Sequence, residues 1–92
     1  MTRPENTLAS FIEARRLGAD AIEFDVHSTL DGHLVVHHDY DLGRTTDGTG
    51  YVHESSFEYV RELSAGAWFD AGYQHEQVPT LDEVLAFDGV DF

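Results

Sequence analysis

The stretch from Ile22 to Thr46, IEFDVHSTLDGHLVVHHDYDLGRTT, sets two carboxylates on one side of an apolar strand. A histidine pair follows at the end of a second apolar strand. Alternation along a strand places Glu23, Asp25 and His27 on one face and Ile22, Phe24 and Val26 on the other. Two carboxylates held side by side repel each other and resist desolvation, and a hard divalent cation is the usual compensation. The pattern therefore predicts a metal site with a histidine nearby. It also admits a plainer arrangement, with one acid turned to solvent at an edge strand or paired with Arg44.

Helix and strand signals alternate around this stretch. Residues 5–17 predict an amphipathic helix capped by Asn6 or Thr7, with Leu8, Phe11, Ile12 and Leu17 near one face and Gly18 as its stop. Strands are predicted over 20–27 and 34–38, with a turn at Asp31 and Gly32. So short a connection favours a hairpin or staggered neighbours over a helical crossover. GRTTDGTG at 43–50 is turn chemistry and predicts a loop. A second helix is predicted over 56–64, with Ser55 and Glu58 spaced as a capping box. Thr80 and Glu83 repeat that spacing ahead of a third helix that includes Leu81, Val84 and Leu85. Together these elements form one unit of mixed α and β structure.

Charge narrows the partners. Eighteen Asp and Glu face five Arg and no lysine, a formal net charge of −13 over 92 residues. Such a surface disfavours nucleic acid, because phosphate backbones seek basic partners. Abundant acid without lysine fits either adaptation to high salt or an ordinary acidic domain. An anionic substrate would be repelled unless a cation inverted the local field. The absence of cysteine excludes disulfides, zinc-thiolate sites and a thiol nucleophile. The short apolar runs predict neither a signal peptide nor a membrane span within these residues.

Eight short blocks then stand in order: PENT at 4–7, GAD at 18–20, IEFDV at 22–26, DG at 31–32, LVVHHD at 34–39, RTT at 44–46, GTG at 48–50 and VPTLDEVL at 78–85. In order and spacing they resemble the glycerophosphodiester phosphodiesterase family, from residue 4 to about residue 87. The resemblance implies an α/β fold, a partial TIM (β/α)8 barrel made of the early βα units of a phospholipase C-like phosphodiesterase. It implies hydrolysis of a small-molecule glycerophosphodiester to an alcohol and glycerol 3-phosphate. Glu23 and Asp25 match two metal-binding carboxylates, for Mg²⁺ or Ca²⁺, and His38 matches one of two catalytic histidines. Active sites of such barrels gather at the C-terminal ends of strands.

Other residues keep open readings. Asp39 either orients His38 or caps the following turn. Arg44 contacts substrate phosphate or pairs with a loop carboxylate. His27 shares the acidic face and is read as a rim residue rather than a ligand. His37 points away from His38. The TDGTG loop lacks the helix and lysine of a phosphate cradle. Trp68, Phe69 and Tyr73 are read as packing residues.

The family pattern begins with a strand ending in His-Arg-Gly and adds a later metal-binding glutamate, neither of which lies in these residues. The expectation is a single incomplete domain over 1–92 carrying half an active site, inactive alone and prone to self-association through open edges. A cytoplasmic location is expected, with the oligomeric state left open. The rival readings are a non-catalytic acidic module that binds divalent cations or a protein partner, and a sphingomyelinase D-like phospholipase of the same barrel superfamily.

Overall fold

The computed structural model describes residues 3–18 and 24–86. Its elements in chain order are helix α1 (Leu8–Arg16), strands β1 (Val26–Ser28) and β2 (Leu34–Val36), helix α2 (Phe57–Glu62) and helix α3 (Leu81–Leu85). Single 3₁₀ turns lie at Val52–Glu54 and Ala71–Tyr73.

α1 starts later than the apolar pattern suggested. Asn6 takes a left-handed conformation, φ 52°, which ends any helix running through it. Thr7 is the N-cap: its hydroxyl accepts the Ser10 amide at 3.2 Å and donates to the Pro4 carbonyl at 2.7 Å. Arg15 and Arg16 complement the negative end of the helix, and Gly18, φ 90°, closes it. Of the expected apolar face, Phe11 is buried and Leu8 half-buried. Ile12 and Leu17 are exposed, because no described residue packs over that side. Glu13 is buried instead, held by Arg16 at 2.6 Å and Arg3 at 3.3 Å.

β1 and β2 form an antiparallel hairpin with Val26 opposite Val36, His27 opposite Val35 and Ser28 opposite Leu34. Gly32, φ 87°, makes the turn, and the Thr29 hydroxyl fixes it by donating to Asp31 at 2.7 Å and accepting the His33 amide at 3.0 Å. Of the predicted first strand, residues 20–23 lie outside the described residues. Val26 is exposed rather than packed. The second strand ends at Val36 rather than residue 38, leaving His37 and His38 beyond the paired segment.

β2 is the centre of the core. Val35 also bridges Thr80 on its other side, and the Val36 amide donates to the Pro79 carbonyl at 2.9 Å. Its successive residues serve two faces. Val35 packs with Leu42, Val52, Val60, Ala65 and Val78, while Val36 packs with Phe11 and Val84, joined by Leu8 and Phe24.

α2 is capped by Ser56, whose hydroxyl accepts the Tyr59 amide. Ser55, expected to cap with Glu58, instead donates to the Tyr51 carbonyl at 2.7 Å and terminates the preceding 3₁₀ turn. α3 carries the expected capping box: Thr80 accepts the Glu83 amide at 3.1 Å and Glu83 accepts the Thr80 amide at 2.8 Å. It contains Leu81, Val84 and Leu85 as expected, and residues beyond 86 lie outside the described residues. The 43–50 loop is ordered by buried Thr45 and Thr46. Among its contacts, the Thr46 hydroxyl donates to the Leu42 carbonyl at 2.6 Å. Trp68, Phe69 and Tyr73 stack edge to face in succession, with Trp68 half open to solvent and Arg3 over the Tyr73 ring.

Candidate active site

Two adjacent histidines leave β2 in opposite roles. His37 is 3% exposed and its Nε2 donates to the Asp41 carbonyl at 2.9 Å. A carbonyl has no proton to give, so that nitrogen carries the hydrogen. Burial lowers the His37 pKa, because a charged ring there would lose its hydration. His38 faces outward. Its Nδ1 lies 2.6 Å from Asp39 Oδ1, which puts its hydrogen on Nδ1 in the neutral ring and leaves the Nε2 lone pair facing the site. The hydrogen bond to Asp39, aided by the charges of Asp39, Asp25 and Glu5, raises the His38 pKa above the usual imidazole value.

Asp25 comes from the residue just before β1, and the backbone holds it to the histidine segment: the His37 amide donates to the Asp25 carbonyl at 3.1 Å. The Asp25 carboxylate is exposed, with one oxygen 4.0 Å from His38 Nε2, longer than a hydrogen bond. Between them opens a cavity of about 610 Å³ lined by Asp25, Val26, His27, His38, Asp39 and Tyr40. His27 does share this side, as alternation requires, but its Nε2 donates to the His38 carbonyl at 3.2 Å and its ring meets Tyr40 edge to face. It props the backbone that carries His38.

Behind His38 stands a chain of charges. Asp39 receives Arg44 Nε at 2.8 Å and Nη2 at 3.1 Å, and the same guanidinium grips Glu5 at 2.9 and 2.6 Å. The Arg44 hydrogen bonds, then that of His38, hold the Asp39 carboxyl well below the ordinary carboxylate range. Arg44 is therefore committed to protein carboxylates. Of its two sequence readings, the ion pair is the one formed, and it extends to Glu5 in the PENT block, a partner 39 residues away that no local spacing could reveal.

A hard cation needs carboxylate oxygens not already taken. Asp39 and Glu5 are bound to Arg44, whereas Asp25 points its oxygens into the cavity, so the donor chemistry fits a cation at Asp25. Glu23, expected beside it, lies outside the described residues. Among the described residues no three His, Asp or Glu side chains gather as a metal cluster. No helix among them is long and apolar enough to cross a membrane.

A family model described as the glycerophosphoryl diester phosphodiesterase family matches residues 1–92. The chain belongs to that family. A glycerophosphodiester phosphodiesterase of Caldanaerobacter subterraneus is 49% identical over 86 residues, covering 94% of this chain and 35% of the relative. A protein of the same name from Bacillus subtilis is 41% identical, covering 89% of this chain and 31% of the relative. Among solved structures, a glycerophosphodiester phosphodiesterase from Agrobacterium tumefaciens superposes with a TM-score of 0.90 at 45% identity, over 91% of this chain and 36% of that one. A phosphodiesterase from Oleispira antarctica, solved with the product sn-glycerol-3-phosphate, gives a TM-score of 0.84 at 43% identity, over 86% of this chain and 32% of that one.

The chain thus spans about a third of the length of the family members it matches, and its fold is part of a TIM barrel. Barrel strands run parallel, so no more than one strand of the antiparallel hairpin can belong to the barrel wall.

Proposed function

We propose that the complete protein is a metal-dependent phosphoric diester hydrolase that cleaves glycerophosphodiesters to an alcohol and glycerol 3-phosphate. The observation that carries this reading is the pairing of an outward His38 Nε2 with the exposed Asp25 carboxylate across one cavity. The family membership and the product bound to the Oleispira relative support it.

In this reading Asp25, with Glu23 two residues earlier in the sequence, would hold a divalent cation, Mg²⁺ or Ca²⁺. When bound, it supplies a Lewis acid for the phosphoryl oxygens of an anionic substrate, which the chain's own charge would otherwise repel. His38 handles the proton at the bridging oxygen through Nε2. Its Nδ1 is occupied by Asp39, so the ring presents one defined atom to the substrate. Asp39 stabilises the imidazolium that forms when Nε2 takes a proton. His27 holds the backbone under that ring. The chemistry is assigned to the complete barrel, since these 92 residues match about a third of each relative.

The test is phosphodiesterase activity on glycerophosphocholine with Mg²⁺ or Ca²⁺, at low and molar salt, for this chain and for a version extended to a full barrel. Activity is expected in the extended protein, falling about 100-fold or more with His38→Ala and similarly with Asp25→Ala. Undiminished activity in the His38 variant would overturn the assignment. An inert extended protein that still binds cations would favour the non-catalytic acidic module.

A further inference from the structure

Arg44 is shared between two carboxylates that meet nowhere else. Its guanidinium makes two hydrogen bonds to Glu5 and two to Asp39, and all four distances lie between 2.6 and 3.1 Å. Asp39 passes the arrangement on, since the oxygen that receives Arg44 Nη2 is also the one 2.6 Å from His38 Nδ1. Glu5 is itself placed by the structures around it. It precedes Asn6, whose left-handed φ of 52° turns the chain into the Thr7 cap, and it follows the buried Pro4. The carboxylates of Glu5 and Asp39 are only 23% and 21% exposed, while Arg44 and His38 are more open. The acids are the fixed points and the guanidinium is the bar between them.

We propose that Glu5 and Arg44 form a positioning clamp that acts through Asp39 to fix the ring orientation and tautomer of His38. Neither Glu5 nor Arg44 touches the reacting atoms; both are positioning residues, and Arg44 is no substrate ligand. The inference rests on the reading of His38 as the proton-handling group for its meaning in catalysis, but its geometry stands apart from turnover. A planar guanidinium can bind two carboxylates at once along two edges, which a lysine ammonium cannot do with the same definition. Removing Glu5 frees the distal edge of Arg44, so Asp39 loses the orientation it imposes on Nδ1. Ring orientation by a carboxylate held from behind is the same logic by which outer partners fix the histidine ligands of metal sites.

The experiment is nitrogen NMR of the histidine-labelled chain at alkaline pH, where each imidazole carries one proton. His37 and His38 are predicted to report opposite tautomers: hydrogen on Nε2 in the first and on Nδ1 in the second. Glu5→Gln and Arg44→Lys should each move both His38 nitrogen resonances toward the averaged positions of a ring that exchanges tautomers. Asp39→Asn should do so at least as strongly. His37, fixed by a backbone carbonyl, should stay put and so reports that each variant has folded. Arg44→Lys serves if Glu5→Gln fails to fold. The clamp is overturned if both variants keep the wild-type His38 resonances while Asp39→Asn shifts them. Because this readout involves no turnover, a failure of the hydrolase reading leaves it intact, and the activity of the extended protein tests that reading separately.

Discussion

Adjacent histidines with opposite surroundings make one sharp expectation at the residue scale. Burial lowers the His37 pKa, so the unfolded chain binds that proton more readily than the folded one. Its contribution to stability is whole above the unfolded value of about 6.5 and is lost as pH falls through it toward the lower folded value. His37→Gln, which can still donate to the Asp41 carbonyl, should flatten that part of the profile. Thermal melts of wild type and variant between about pH 7 and pH 5 would show the gap between them closing as acid is added; a constant gap would contradict the assignment. Asp25 was singled out by strand alternation, His38 by the family resemblance and Asp39 by its place beside His38, and the structure brings all three to one cavity. Glu5 was not legible, although it sits in a block singled out for its resemblance. Its partner is far along the chain, and only the folded hairpin brings the two together.

Caps decide the short helices. α3 has five residues, far too few to persist without help, so it depends on the Thr80 box and on Arg61, which reaches Glu83 at 2.8 Å and the Val78 carbonyl at 2.8 Å. Burial opposes ionisation of Glu83, but the Thr80 amide and Arg61 outweigh it and leave its pKa lowered. Thr80→Ala should cost about 1 kcal/mol, measured by urea denaturation. A loss near zero would mean the box is redundant with Arg61. This cap was readable because the TxxE spacing stands alone, with Pro79 ahead of it. The α2 cap was misplaced by one residue because two serines stand together and the preceding 3₁₀ turn claims the first. Of the predicted first strand, the described part pairs over Val26–Ser28, with the Asp25 carbonyl accepting the His37 amide just ahead of it.

Over the whole molecule, charge opposes compaction. A formal charge of −13 on 92 residues repels itself in the folded state. Raising salt from about 0.1 M to 1 M shortens the screening length from about 10 Å to about 3 Å. A melting temperature about 5 °C higher is expected, equivalent to about 1 kcal/mol for a chain of this size. A flat or falling melting temperature would show that local pairs such as Arg44 with Glu5 and Asp39 outweigh the net repulsion. The mixture of α and β elements was legible from their alternation, whereas the partial TIM barrel was legible only through the family resemblance. The exposure of Ile12, Leu17, Leu30 and Leu34 was not, because apolar periodicity says which face is sticky and not what covers it. The join between Glu5 and Arg44 also bears on the growing chain. With 39 residues between them and synthesis at about 5–20 residues per second, roughly 2 to 8 s separate the making of the two ends. Until Arg44 has been made, nothing can join the PENT turn to Asp39, so the support behind the His38 ring closes only after the whole hairpin has been synthesised.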